Sequence, residues 1–120
     1  MAEWKSGPEG HVPCVAPGEA VALQTEGALL LDVREAHEWE AGHAPGVHHL
    51  PLGSVAARLD TLSMATRIVV VCRSGRRSAA ATALLLQAGF DAVNLEGGMV
   101  AWHAAGLEVR TPGGGTGQVA

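Results

Sequence analysis

The segment of residues 68–88 constrains the fold of this chain more than any other segment. It opens with Ile68-Val69-Val70-Val71-Cys72, a continuous apolar run whose β-branched side chains suit a central strand buried on both faces. After a short loop, residues 77–88 are rich in good helix formers and nearly apolar all round, which predicts a buried helix. A buried strand that leads directly into a buried helix is typical of an α/β fold.

The rest of the chain repeats this alternation of short apolar runs and helical stretches. Further strands are predicted at residues 12–15, 28–33, 47–50 and 92–95, and further helices from Pro17 onward and at about 35–41, 53–61 and 98–105. Glycines follow three of the predicted helices, at positions 42, 89 and 106. We therefore predict one α/β domain over residues 12–110, with a small, mostly parallel central sheet flanked by helices on both faces.

Length and composition agree with a single domain. The 120 residues are 48% hydrophobic and 17% charged, which excludes both a tandem architecture and a disordered chain. Residues 1–11 are predicted to form a leader, and residues 111–120, which are rich in glycine, a flexible tail. The leader lacks the apolar stretch of a signal peptide and no apolar run is long enough to span a membrane, so a cytoplasmic protein without a membrane partner is expected.

The charged residues are unevenly distributed. Residues 1–60 carry nine Asp or Glu against three Lys or Arg, whereas residues 61–120 carry three acids against five arginines. Three of those arginines, Arg73, Arg76 and Arg77, lie in one short loop. This patch is too small for a nucleic-acid interface and favours a small anion as the partner.

The arginine-rich loop also contains the most reactive candidate side chain. Cys72 lies at the carboxyl end of a predicted parallel strand, where open α/β sheets place their sites, and Gly75 permits the backbone to curl its N–H groups inward. The helix dipole and the guanidinium groups favour the thiolate over the thiol. The alternative is a strand-end cysteine that acts as a small hydrophobe, but it leaves the three neighbouring arginines without a role.

Three motifs in this order resemble the rhodanese-type single-domain sulfurtransferases. The loop of residues 72–78 reads CRSGRRS and is similar to the active-site loop of that family. Residues 31–46 resemble its first signature, LDVRE-x-x-EW-x-x-GH-x-PG, and residues 95–102, LEGGMVAW, resemble its last. Together the motifs extend the resemblance over roughly residues 12–110 and make it specific.

The resemblance implies that the Cys72 thiolate takes a sulfur atom from thiosulfate or another sulfane donor, becomes a persulfide and passes the sulfur to cyanide or a thiol. It implies no metal and no organic cofactor. Asp32 and Arg34 would support the loop from a neighbouring strand end. The residues that would bind the donor are those of the loop after the cysteine: Arg73, Ser74, Gly75, Arg76, Arg77 and Ser78.

Two other functions remain as alternatives. The first is a rhodanese module that binds a partner or relays sulfur without a small-molecule turnover of its own. Loss of the cysteine is the usual mark of such a module, so the intact Cys72 disfavours a purely structural role and leaves a persulfide carrier that acts with a sulfur-relay protein. A cysteine-dependent phosphatase is disfavoured by loop length, because four residues separate Cys72 from Arg77 whereas phosphatase loops of that kind have five.

The remaining candidate residues have simpler interpretations. The histidines at positions 37, 43, 48 and 49 form no recognised metal-ligand spacing, and His43 is expected to bond to backbone in a turn. Cys14 has no basic neighbours in the sequence, so a bystander thiol is favoured over a resolving cysteine. Trp39 and Trp102 are expected to pack in the core.

Overall fold

The computed structural model describes residues 5–6 and 12–120. The predicted leader therefore lies outside the described residues except for Lys5–Ser6, which form an unpredicted strand. The strands are β1 (Lys5–Ser6), β2 (Pro13–Val15), β3 (Leu29–Asp32), β4 (His48–His49), β5 (Ile68–Val71) and β6 (Ala92–Leu95). The helices are α1 (Pro17–Thr25), α2 (Ala36–Ala41), α3 (Leu52–Val55) with a 3₁₀ helix over Ala56–Thr61 directly after it, α4 (Arg76–Gln87) and α5 (Gly98–Ala104).

One six-stranded sheet forms the centre of the molecule, with the strand order β1-β2-β6-β5-β3-β4. Only β1 is antiparallel to its neighbour, so the predicted mostly parallel sheet is confirmed. Strand β5 lies between β3 and β6, and the register pairs Asp32 with Val71 and Asn94 with Val70. Two polar side chains thus lie on the strands that flank the end of β5.

Helices cover both faces of this sheet, as predicted. Ile68 and Val70 face one core cluster with residues of α3 and α4, whereas Val69 and Val71 face the other cluster with residues of α1 and α5. All four residues of β5 are fully buried, which explains why this strand carries only β-branched apolar side chains. Cys72 joins the cluster on the α4 side.

Helix α4 differs from the prediction of a helix buried all round. Ala81 and Leu85 are fully buried against the sheet, but Leu86 is 39% exposed and Gln87 is also exposed. The helix forms an outer layer of the domain, so only the face toward the sheet is covered. Its predicted end is confirmed, since Gly89 has a φ of +94° and Phe90 packs into the core.

The glycine-rich tail runs back along the domain. Arg110 and His43 exchange two backbone hydrogen bonds of 2.8 Å, and the N–H groups of Gly117 and Gln118 donate to Val109 O and Ala41 O at 2.8 and 2.9 Å. The approach is close enough that a Cβ on Gly117 would lie 2.7 Å from the Gly42 Cα. Composition alone suggests a flexible segment, whereas here the absence of side chains lets two backbones meet.

Among the described residues, no helix has the length and apolar character that a membrane span requires.

Candidate active site

Cys72 follows the last residue of β5 directly and lies at the carboxyl edge of the sheet. Residues 73–75 then turn the chain into α4, which begins at Arg76. The thiol is 1% exposed, so its surroundings rather than bulk water determine how the sulfur is stabilised. The sheet and helix thus place Cys72 at the strand end that the sequence predicts.

Two hydrogen-bond donors point at the Cys72 sulfur. The Gly75 N–H donates to Sγ at 3.0 Å, and the buried Ser78 hydroxyl donates to it at 3.2 Å. Gly75 has a φ of +107°, a conformation that side chains disfavour, and this turns its N–H back toward the cysteine. With the N-terminal end of α4 beside it, the sulfur lies in an environment that stabilises negative charge.

Helix α5 anchors the outer side of the loop. The N–H groups of Met99 and Val100 donate to Cys72 O at 2.8 Å and Arg73 O at 3.0 Å. These carbonyls therefore face α5, away from the sulfur, which removes two negative dipoles from the site. Gly98 makes the close approach possible, since a Cβ there would collide with Cys72 O and Arg73 O.

Asn94 holds the loop from the neighbouring strand, and the sequence reasoning missed it. Its Nδ2 donates to Gly75 O at 3.1 Å, and the side chain is fully buried on β6. Its Oδ1 has no hydrogen-bond partner among the described residues. The signal was present in the sequence, because a lone amide inside a buried apolar strand needs a specific partner.

Glu38 is a second residue that the sequence reasoning left unassigned. Its carboxylate accepts two hydrogen bonds from the Arg77 guanidinium, at 2.6 and 2.7 Å. The hydrogen bonds from Arg77, helped by the Glu35 N–H, lower the pKa of Glu38 to about 2 even though burial opposes this. Both terminal nitrogens of the Arg77 guanidinium are bound to Glu38, so this pair connects the start of α4 to α2.

The other polar residues of the loop face solvent. Ser74, Arg73 and Arg76 are exposed, and only Arg73 has a described side-chain hydrogen bond, from Nε to Ala120 O at 2.9 Å. Arg77 is only partly exposed. The three arginines of the sequence motif therefore occupy three different environments.

Asp32 and Arg34 form a fully buried ion pair beside the end of β5. The Arg34 Nη2 lies 2.7 Å from Asp32 Oδ2 and donates a second bond of 2.7 Å to Gly42 O. The hydrogen bonds of this pair thus reach the turn after α2, and the charge of Asp32 is also among the causes that raise the pKa of Arg77 in the Cys72 loop. A buried ion pair of this kind fixes local geometry more than it adds stability.

The aromatic and histidine residues form a stack near α2. The Trp39 ring lies parallel to the rings of His43 and His49, with centroid distances of 4.1 and 5.3 Å. His43 Nδ1 bonds to Trp39 O at 2.8 Å, which confirms the backbone bond predicted for this histidine. Trp102 is buried as predicted, whereas Trp39 is only half-buried, so its placement in the core was wrong.

Cys14 is buried like Cys72. It lies on β2 in register with Asn94, and its Sγ is 3.7 Å from Glu96 Oε2. Cys14 lies within a strand, whereas Cys72 lies in a loop between a strand and the start of a helix. Within the described part of the chain, no three His, Cys, Asp or Glu side chains come together in a way that could hold a metal ion.

Comparison with known proteins agrees with this geometry. Residues 16–105 match the family model of the Rhodanese-like domain. The chain belongs to the rhodanese family. The match includes the Cys72 loop, the Asp32–Arg34 segment and the two glycines at the start of α5, but not the tail that packs on this rhodanese domain.

Individual relatives carry names connected with sulfur transfer. The chain is 44% identical over 78 residues to a Bacillus subtilis protein provisionally named sulfur carrier protein YrkF. The matched residues are 64% of this chain and only 42% of that protein. It is 35% identical over 91 residues to the thiosulfate sulfurtransferase GlpE of Pseudomonas entomophila, covering 75% of this chain and 84% of that protein. A rhodanese-related protein from Thermoplasma volcanium superimposes with a TM-score of 0.75 at 28% identity, over 80% of this chain and 95% of that one.

Proposed function

We propose that this rhodanese domain is a sulfurtransferase that moves sulfane sulfur from thiosulfate, or from a persulfide donor, to a thiophilic acceptor through a persulfide on Cys72. The observation that carries the proposal is the pair of donors on the Cys72 sulfur, the Gly75 N–H and the Ser78 hydroxyl. Such donors stabilise a sulfur anion, and both the attacking thiolate and the resulting persulfide are sulfur anions.

The first half-reaction needs no proton transfer. The Cys72 thiolate attacks the outer sulfur of thiosulfate, a new S–S bond forms to Cys72, and the S–S bond of the donor breaks. Sulfite leaves with the electron pair, so the charge on the protein sulfur moves outward by one atom. Because the step starts from the thiolate, it needs no general base.

The second half-reaction regenerates the thiolate. A nucleophile such as cyanide attacks the outer sulfur of the Cys72 persulfide, and thiocyanate leaves as the Cys72 thiolate takes the electron pair. The same donors to the sulfur stabilise this leaving group. The proposed cycle uses no metal and no organic cofactor.

The loop arginines are proposed to bind the anionic donor in different ways. Arg73 and Arg76 are exposed at the entrance, and we assign them to attraction and binding of the anion. Arg77 and Ser78 are engaged inside the domain, with Glu38 and with the Cys72 sulfur, so we assign them to holding the loop in place.

Mass spectrometry of the intact protein tests the persulfide. Treatment with thiosulfate is expected to add one sulfur atom to the wild type and to Cys14→Ser, and none to Cys72→Ser. Cys72→Ser should also lose thiocyanate formation from thiosulfate and cyanide. A sulfur adduct that persists on Cys14 in the Cys72→Ser variant would contradict the assignment.

A sulfur carrier is the second candidate, because a relative that is 44% identical over the matched residues bears that name. A carrier would accept sulfur from a persulfidated protein and turn over thiosulfate poorly. Comparing loading of Cys72 by thiosulfate with loading by a persulfidated cysteine desulfurase, at equal donor concentrations, separates the two functions.

An assay of aryl phosphate hydrolysis distinguishes a sulfurtransferase from a phosphatase. Only four residues separate Cys72 from Arg77, so we expect the loop to form a narrow ring of N–H groups with space for one additional sulfur atom. Phosphoryl transfer needs several donors around a tetrahedral group and in-line space for attack. Cys72-dependent hydrolysis of an aryl phosphate at a rate equal to thiosulfate turnover would overturn the sulfurtransferase assignment.

A further inference from the structure

Two adjacent arginines of the Cys72 loop differ in how their charges are balanced. Both terminal nitrogens of Arg77 donate to the Glu38 carboxylate, at 2.6 and 2.7 Å. Arg76 is exposed and forms no ion pair with any of the residues that the structure describes. The charge of Arg77 is therefore opposed by a carboxylate in direct contact with it, whereas the charge of Arg76 faces solvent.

Arg77 lies next to the groups that bind the Cys72 sulfur. It directly precedes Ser78, whose hydroxyl donates to Sγ at 3.2 Å. The hydrogen bonds to Glu38 are the main cause that raises the pKa of Arg77, and the charge of the Cys72 thiolate adds to this rise. The charges on Arg77 and on the sulfur thus act on each other. A change in the charge around Arg77 therefore also changes the potential at the place where a donor reacts.

The Glu38 carboxylate supplies a negative charge that persists at neutral pH. Glu38 is 8% exposed, and the hydrogen bonds from Arg77 lower its pKa to about 2. Protonation therefore does not remove this charge near neutral pH. The carboxylate is a fixed part of the electrostatic potential around the Cys72 loop.

We propose that Glu38 weakens the binding of small anions at the Cys72 site by cancelling part of the positive charge of Arg77. The inference rests on the proposed function, in which an anionic donor reaches Cys72. A positive charge attracts an anion over several ångströms, whereas an ion pair is a dipole whose attraction falls off faster with distance. Glu38 acts on the anion through the charge of Arg77 and is a positioning residue rather than a catalytic one.

The consequence for the proposed cycle is easier release of sulfite. Thiosulfate and sulfite are both anions, so added positive charge at the site would retain both of them longer. Sulfite that stays beside the Cys72 persulfide can attack the outer sulfur, which reforms thiosulfate and returns the electron pair to the Cys72 thiolate. A weaker attraction for anions therefore lowers the affinity for the donor but favours completion of the first half-reaction.

Alkylation of Cys72 by two matched reagents measures the attraction for anions. The thiolate displaces iodide from iodoacetate, which is anionic, or from iodoacetamide, which is neutral and of similar size. Both rates are measured at the same pH in a Cys14→Ser background, so that one thiol reacts. A change in the thiolate fraction or in the accessibility of Cys72 alters both rates. The ratio of the iodoacetate rate to the iodoacetamide rate therefore isolates the effect of charge.

Three substitutions separate the charge of Glu38 from its shape and from the net charge of the molecule. Glu38→Gln removes the charge and keeps the shape. Glu38→Asp keeps the charge on a shorter side chain. Glu40→Gln is the matched control, because Glu40 is exposed on the same helix and its replacement changes the net charge equally. Thermal unfolding shows that each variant is folded in the assay.

We expect Glu38→Gln to raise the ratio about two- to tenfold at low ionic strength, which is the size expected of one partly screened charge. Glu38→Asp and Glu40→Gln should keep the wild-type ratio. The gain should shrink in about 1 M salt, where the screening length is about 3 Å. In thiosulfate turnover, Glu38→Gln should lower the KM and strengthen the inhibition by sulfite.

Substitution of Arg77 provides a second test that does not depend on the stability of Glu38→Gln. Arg77→Gln should lower the ratio below the wild-type value, because it leaves the charge of Glu38 uncompensated. The double variant Glu38→Gln/Arg77→Gln should return to about the wild-type ratio, because two opposing charges are removed together.

Other outcomes overturn the inference. An unchanged ratio in both Glu38→Gln and Arg77→Gln would mean that the pair acts on the fold alone. A lower ratio in Glu38→Gln would mean that Glu38 holds Arg77 in the position that binds the anion. An equal rise in Glu40→Gln would mean that the net charge of the molecule governs the reaction. Because alkylation requires no sulfur transfer, an absence of thiosulfate turnover would contradict the proposed function and leave the alkylation ratio as the test of Glu38.

Discussion

The environment of the Cys72 sulfur depends on polar side chains that lie inside the domain. Ser78 donates to the sulfur itself, and Asn94 holds the Gly75 carbonyl, whose own N–H donates to the sulfur. Both side chains are fully buried. Burying a polar group without a hydrogen-bond partner costs free energy, so Ser78 and Asn94 each keep the conformation that makes these hydrogen bonds. Asn94 acts on the site through Gly75 and is a positioning residue.

We expect Asn94→Ala to slow both the alkylation of Cys72 by iodoacetamide and the kcat for thiosulfate by about two- to tenfold, which corresponds to one hydrogen bond. The KM should stay unchanged, because the exposed arginines are not disturbed. The matched control is Thr82→Ala, which removes a buried side-chain hydrogen bond to Ser78 O within α4. If Asn94→Ala lowers the free energy of unfolding but leaves the rate of Cys72 alkylation at the wild-type value, Asn94 supports only the fold.

At the scale of elements, the Cys72 loop lies between the starts of two helices with different functions. Helix α4 begins inside the loop and turns the Gly75 N–H toward the sulfur, whereas α5 binds the carbonyls of Cys72 and Arg73 from outside. The loop has few conformations left once both helices are docked. Gly98 of the last sequence motif is required by this docking, because a Cβ there would meet Cys72 O and Arg73 O.

Gly98→Ala tests the docking of α5. Its Cβ would meet Cys72 O and Arg73 O at a φ of +58°, so we expect a large loss of stability and of Cys72 reactivity. Gly106→Ala is the control, because Gly106 has a φ of +78° but open space around it. The difference between the two variants in chemical denaturation should be about 1–3 kcal/mol. Equal losses would mean that backbone strain alone accounts for the glycine at position 98.

At the scale of the whole molecule, α2 links the sheet, the tail and the candidate site. Its Glu38 binds Arg77 at the start of α4, and Gly42 just after it accepts a hydrogen bond from the buried Arg34. The tail packs on the same turn through Gln118. Displacement of α2 would therefore disturb the Cys72 loop and the 117–120 segment together.

This linkage predicts an acid-sensitive stability. The pKa of Glu38 is lowered from 4.5 to about 2 in the folded protein, chiefly by its hydrogen bonds to Arg77. The carboxylate thus contributes its full stabilisation above pH 4.5 and loses it progressively as the pH falls toward 2. Between pH 6 and pH 3 this loss is about 2 kcal/mol.

Denaturant unfolding at both pH values measures the loss. We expect Glu38→Gln to be less stable than the wild type at pH 6 and to lose about 2 kcal/mol less between pH 6 and pH 3. Glu108→Gln, in the exposed pair with Arg110, is the control and should keep the wild-type pH dependence. If the free energy of unfolding of Glu38→Gln falls between pH 6 and pH 3 as much as that of the wild type, a group other than Glu38 causes the acid sensitivity.

Much of the element pattern could be predicted from local sequence. The apolar run before Cys72 and the glycines after α4 and α5 predicted β5 and the helix ends within one or two residues. The strand β1 was missed because two residues carry no periodicity. The full burial expected for α4 was wrong because periodicity does not reveal that the helix forms an outer layer.

The sequence by itself determined the parallel α/β sheet and the position of Cys72 between a buried strand and a helix, because propensity, apolar runs and glycine positions act over a few neighbouring residues. Only the tertiary structure decided which distant groups meet. It joined Glu38 to Arg77, Asn94 to Gly75 and Arg73 to Ala120, and it returned a glycine-rich tail to the domain surface. These pairs are separated by many residues, and their meeting depends on how the strands are ordered and the helices packed.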